Sequence, residues 1–129
     1  MAQSRLRSPL GRAIGLGSAK TGIQHWWAQR ISAIALVPLA LWFVAAIVEQ
    51  AGASRAEFIA WVRHPLPAVF MLLVVVTTFY HGALGLQVVL EDYVEQEGQR
   101  LALVIVVRLA AILLAVLGIF AVLKLSFGA

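Results

Sequence analysis

His81 stands inside an apolar run, Pro65 to Leu90, in which the only other ionisable group is Tyr80. An imidazole so placed can relay a proton, hold a metal ion or hydrogen-bond a neighbouring helix. On a helix, Gly85 lies one turn later on the same face and Gly82 flanks the ring. Such small neighbours leave room for a large flat ligand, or for a close helix partner of the small-xxx-small kind. If the ligand is haem b, a six-coordinate iron needs a second axial group. The other histidines, His25 and His64, fall at opposite membrane edges. The second ligand then comes from another chain.

Asp92 follows His81 by eleven residues, which on a helix is ~16 Å along the axis and nearly the same face. Tyr93 comes next. A tyrosine at a membrane edge reads as an interfacial belt residue or as a hydrogen-bond donor to a ligand there. Glu91 and Asp92 oppose the helix dipole at a carboxyl end. Either the helix continues into water, or a cation such as Arg30 compensates them. Trp26 and Trp27 read as an aromatic belt, with Arg30 in the first turn and free to snorkel. Arg108 enters the third apolar run by eight residues, where it snorkels or pairs with an anionic ligand group. Residues 15–22, GLGSAKTG, resemble a phosphate-binding loop only at Lys20-Thr21, because Ala19 stands before the lysine and no strand precedes it.

These residues need long helices to hold them. The chain has 129 residues, 62% hydrophobic and 12% charged, which marks a membrane protein. It is read as one membrane domain, with residues 1–30 as an N-terminal segment and spans at about 31–48, 67–90 and 101–123. The fold class is therefore all-α with three transmembrane helices. Pro65 and Pro67 suit the first turn of the second helix, and EFIAWVR places Phe58, Trp61 and Val62 on one side of a short interfacial helix. The absence of cysteine excludes disulfides, a thiolate-held iron–sulfur cluster and covalent haem attachment. Arg5, Arg7, Arg12, Lys20 and Arg30 all precede the first acid, Glu49. That flank reads as a transit peptide or as the cytoplasmic side of the first span, and the Lys/Arg rule favours the second. Charges beside a span are not a nucleic-acid surface. With the N-terminus in the cytoplasm, Arg30 and Ser32 come to the same membrane face as Asp92 and Tyr93.

Arg-x-Ser-Ala-Ile at the start of the first helix, a histidine at mid-depth of the second and His-x10-Asp-Tyr at its end occur together here. In this the whole chain resembles the small hydrophobic membrane-anchor subunits of succinate dehydrogenase, respiratory complex II, and HWWAQRISAI is similar to their alphaproteobacterial members. The resemblance implies half of a two-subunit, haem- and quinone-binding helical bundle. His81 would be an axial ligand to a haem b shared with a second, cytochrome b-type anchor subunit that brings the other axial histidine. Tyr93 would hydrogen-bond a ubiquinone carbonyl and Asp92 would orient nearby groups. Arg30 and His25, and on the anionic-partner reading Arg108, would lie near the haem propionates or the quinone. A flavoprotein and an iron–sulfur subunit would dock on the cytoplasmic face and feed electrons from succinate to ubiquinone. The chain itself would be a non-catalytic anchor, set among lipid in a bacterial inner membrane rather than a mitochondrial one.

Two other functions compete. A cytochrome b anchor of a fumarate reductase or another respiratory dehydrogenase often carries both axial histidines, or two haems, on one chain; a single mid-membrane histidine argues against it. A small transporter or a cofactor-free assembly subunit is the third reading, but the first span lacks the embedded acid that small multidrug transporters need. The topology is open to a direct check. Ser4→Cys and Gln96→Cys should resist a membrane-impermeant thiol reagent in intact cells, while Ser54→Cys should react. Labelling of Gln96→Cys from outside would overturn the scheme.

Overall fold

The computed structural model describes residues 20–128, with side chains from Gly22 onward. The basic flank and most of the GLGSAKTG stretch lie outside the described residues. Four helices follow in order: α1 (Lys20–Glu49), α2 (Arg55–Val62), α3 (Pro65–Tyr93) and α4 (Glu97–Phe127). The long ones have 30, 29 and 31 residues, each about 45 Å of helix against ~30 Å of hydrocarbon. This is an all-α, multi-pass membrane protein with three spans.

The helices outrun the charge-free segments that suggest them. α1 starts at Lys20, eleven residues before the expected span, because Gln24, His25, Gln29 and Arg30 are compatible with helix although not with lipid. Arg30 therefore lies in the third turn of α1, not the first. α3 keeps its helical hydrogen bonds through Tyr93, so Glu91 and Asp92 ride on a continuing helix. Pro65 and Pro67 occupy its first turn as expected, where no intrahelical N–H bond is lost. Pro38 interrupts α1 by one hydrogen bond, a loss that membrane helices tolerate.

The three spans form a row. α3 packs against both α1 and α4, while α1 and α4 make no close backbone approach among the described residues. On α1 the contact stripe recurs every seven residues, at Ser32, Leu39 and Ala46, all buried. A seven-residue repeat keeps one seam facing one neighbour along the whole helix. On the other side of α3 the tightest approach is at Gly118 of α4, where a methyl group would stand 2.8 Å from Val75 Cγ1.

α2 closes the far end of the row. Ser54 caps it, accepting from Glu57 N–H while Ser54 N–H donates to the Glu57 carboxylate at 2.7 Å. The Ser54 hydroxyl and N–H together hold the Glu57 carboxyl below its ordinary range. Gly52, with φ at +89°, makes the left-handed turn that leads into this cap. Val62 is 1% exposed, Trp61 stacks on Trp42 with ring centroids 6.2 Å apart, and Trp42 meets Phe70 at 4.9 Å. Arg63 Nη2 donates to Gly128 O at 2.5 Å. This loop helix thus ties the end of α1 to the start of α3 and the end of α4.

The Gly118 contact can be tested. Val75 is β-branched and stiff on a helix, so Gly118→Ala should lower the midpoint of thermal unfolding in detergent, with a cost of about 1–3 kcal/mol for an overpacked contact. Val75→Ala in the same chain should restore it. An unchanged midpoint in Gly118→Ala would mean that α3 and α4 separate freely there.

Candidate functional site

The polar centre of the molecule is the crossing of α1 and α3. Ser32 lies twelve residues after the start of α1 and His81 twelve before the end of α3, each about 18 Å from the same end of the row. Ser32 Oγ is 2.9 Å from His81 Nδ1. Ser32 is 6% exposed and is the buried polar residue of the described chain; His81 is half-buried. The hydrogen bond that the ring makes among the described residues is at Nδ1, which leaves Nε2 without one there.

Around this pair the α1 face continues toward Lys20 with Gln29 and His25. Residues 25, 29 and 32 share one side of the helix. Gln29 lies against Gly85, where a methyl group would stand 3.5 Å from the Gln29 side-chain nitrogen. A methyl on Gly82 would meet nothing within 4 Å. The two glycines therefore differ: Gly85 admits α1, and Gly82 faces open space. His25 Nε2 and Gln29 Oε1 are sealed from solvent without a hydrogen-bond partner among the described residues. His25 is thus brought into the seam with His81, and His64 is left at the opposite end, at the position before the first turn of α3, where its side chain makes no capping bond.

The expected meeting of Arg30 and Ser32 with Asp92 and Tyr93 does not occur within this chain. Ser32 turns to His81 instead. Arg30 is two residues, nearly half a helical circuit, away from Ser32, and its guanidinium lies 5.2 Å from the centroid of Trp26. Glu91, for which Arg30 was one of the two alternatives, accepts from Gln87 Nε2 at 2.7 Å. Asp92 is exposed on nearly the same helical face as His81, and Tyr93 ends α3 with 82% of its surface open. Arg108 lies on the α4 side of α3, where its Nη2 donates to Gln87 Oε1 at 2.6 Å. The fold therefore separates Arg108 from the His81 seam by the width of α3.

The profile of the succinate dehydrogenase/fumarate reductase transmembrane subunit matches residues 4–124. The chain belongs to that family. It is 39% identical over 117 residues to the succinate dehydrogenase hydrophobic membrane anchor subunit of Rickettsia bellii, covering 90% of this chain and 93% of that one. It is 31% identical over 125 residues to the subunit of the same name from Paracoccus denitrificans, covering 97% and 96%. The succinate dehydrogenase membrane anchor subunit of Reclinomonas americana is 28% identical over 96 residues, covering 72% and 80%.

Two residues of this family member escaped the sequence reading. Ser32 was expected at the membrane face and is the partner of His81. Gln87 is the hub between Arg108 and Glu91. The available signal was spacing: Ser32, Leu39 and Ala46 form a heptad stripe with one polar member, and Gln87 is the one amide on a span otherwise free of them.

Proposed function

We propose that this chain is the membrane-anchor subunit of a succinate:ubiquinone oxidoreductase in a bacterial inner membrane. On this reading it holds half of a haem b site and one wall of the ubiquinone site, and is not a catalyst on its own. The observation that carries the reading is His81, midway along the central helix, with Nδ1 engaged and Nε2 making no hydrogen bond among the described residues. The named succinate dehydrogenase anchors of R. bellii and P. denitrificans, similar along nearly the whole chain, support it.

The donor set fits a haem iron, which His81 would hold. An imidazole fixed through Nδ1 offers Nε2 to a metal, and Gly82 leaves the adjoining surface clear. On this reading His81 is the imidazole this chain offers, and a second anchor subunit would bring the other. Haem b, when bound there, supplies a one-electron carrier within the bilayer. His25, on the seam toward the Tyr93 end, and Arg30, on the outer face of α1, are the groups available to its propionates. Arg108, engaged with Gln87 across α3, is not assigned to it.

At the Tyr93 end the membrane edge is proposed to be cytoplasmic, in keeping with the basic residues that precede α1. The iron–sulfur and flavoprotein subunits dock there and deliver electrons from succinate. Ubiquinone takes up two electrons and two protons to become ubiquinol. Tyr93 O–H donates to a quinone carbonyl as negative charge builds on its oxygen, and Asp92 orients the surrounding polar groups. The exposure of both residues in the single chain suits a site that is completed by partners.

Replacing His81 by leucine should remove or alter the haem spectrum of the assembled complex while avoiding a new unpaired polar group. An unchanged low-spin bis-histidine spectrum would end the ligand assignment. Tyr93→Phe deletes the hydroxyl alone. Loss of a hydrogen bond to a charged group costs about 1.5–3 kcal/mol, so ubiquinone reduction should slow roughly ten- to a hundredfold. Haem content and succinate oxidation by an artificial acceptor that bypasses the quinone should stay near the wild-type level. Wild-type quinone kinetics in Tyr93→Phe would return this residue to an interfacial belt role.

A further inference from the structure

We infer that Ser32 is a positioning residue for His81, holding its imidazole in the Nδ1–H tautomer so that the Nε2 lone pair is presented to the iron. This rests on the proposed haem role of His81. The argument comes from counting protons. A serine hydroxyl carries one hydrogen and two lone pairs. Three atoms compete for it: Ala28 O at 2.7 Å, Gln29 O at 3.1 Å and His81 Nδ1 at 2.9 Å. The two carbonyl oxygens can only accept. At 2.7 Å, an Oγ without a proton pointing at Ala28 O would set lone pair against lone pair. The hydroxyl proton therefore lies toward the carbonyls of α1, and Ser32 has only a lone pair to offer His81. Nδ1 must donate, and in a neutral ring the remaining lone pair is then on Nε2.

Packing fixes the position of that acceptor. Ser32 shares its buried stripe with Leu39 and Ala46, so α1 cannot rotate the hydroxyl away without exposing both. The face that α1 turns to α3 carries two further polar side chains, His25 and Gln29, but the hydrogen bond with His81 is made by Ser32. A hydrogen bond donated by the far nitrogen of a ligating imidazole raises the basicity of the near one and orients the ring. The better donor favours ferric over ferrous iron.

Ser32→Ala in the complete, purified four-subunit complex removes the acceptor. Haem should be held about tenfold less tightly, the low end of the range for loss of such an outer partner, and the haem midpoint potential should rise. Ser32→Thr keeps the hydroxyl and its bond to the preceding turn, and should restore both. If Ser32→Ala does not assemble, the Thr and Val variants at this position make the same comparison. They match in shape and differ in the hydroxyl, so a higher potential in Ser32→Val than in Ser32→Thr is the expected result. Equal potentials and equal haem retention with and without the hydroxyl would overturn the inference and leave Ser32 as an ordinary contact between helices. His81→Leu separates the two levels. If it abolishes the haem spectrum while the Ser32 variants are silent, the ligand reading stands and the positioning role falls. If it leaves the spectrum intact, both fall.

Discussion

In hydrocarbon a peptide N–H or C=O has only other protein groups to bond, and that constraint sets the architecture of this molecule. Three helices of 29 to 31 residues satisfy it within themselves. Two sets of polar side chains at depth are paired in the same way, whereas His25 Nε2 and Gln29 Oε1 find no partner among the described residues. Ser32 returns its hydroxyl to its own helix and meets His81 across the seam, and Arg108 reaches Gln87, which reaches Glu91. Both of these bonds end on α3, one on each side. The central helix thus separates two polar systems that share no side chain.

Once the backbone is satisfied, lipid offers little drive to gather helices into a closed bundle, since lipid tails are as apolar as leucine. Association then depends on close fit and on a few hydrogen bonds. This explains how, in a chain that is 62% hydrophobic, the buried apolar side chains among the described residues are few: Leu39, Ala46, Val62, Pro67 and Val122. Ala46 and Gly118 let neighbours approach, and the heptad stripe on α1 keeps Ser32 aimed at α3. A row of helices leaves both broad faces open, and the residues read as site-forming, His81, Asp92 and Tyr93, lie along an edge of the middle element.

Much of this was legible because it is local. Charge-free runs gave the three spans, Pro65 and Pro67 marked the start of α3, and EFIAWVR gave the loop helix that the structure has at Arg55–Val62. The mid-depth of His81 followed from counting. What escaped was of two kinds. The early start of α1 was hidden because hydropathy registers contact with lipid, whereas helix continues through Arg30 and His25 as long as backbone bonds are kept. The pairing of Ser32 with His81 was hidden because the relative rotation and shift of two helices is decided by packing, and no single segment carries it. The same limit hid the orientation of Arg30, which depended on which stripe of α1 was buried.

The connections between the spans differ in a way that bears on how the chain reaches this state. α3 and α4 are joined by residues 94–96 alone, a reach of about 10 Å, so they can dock as a hairpin at small entropic cost. The contact of Ser32 with His81 spans 49 positions of chain, much of it the segment that holds α2. Loop-closure entropy makes such a long-range contact later than a local one. The α3–α4 pair is therefore expected to be in place before α1 settles against it, and the imidazole of His81 gains its hydroxyl partner only with that final docking step.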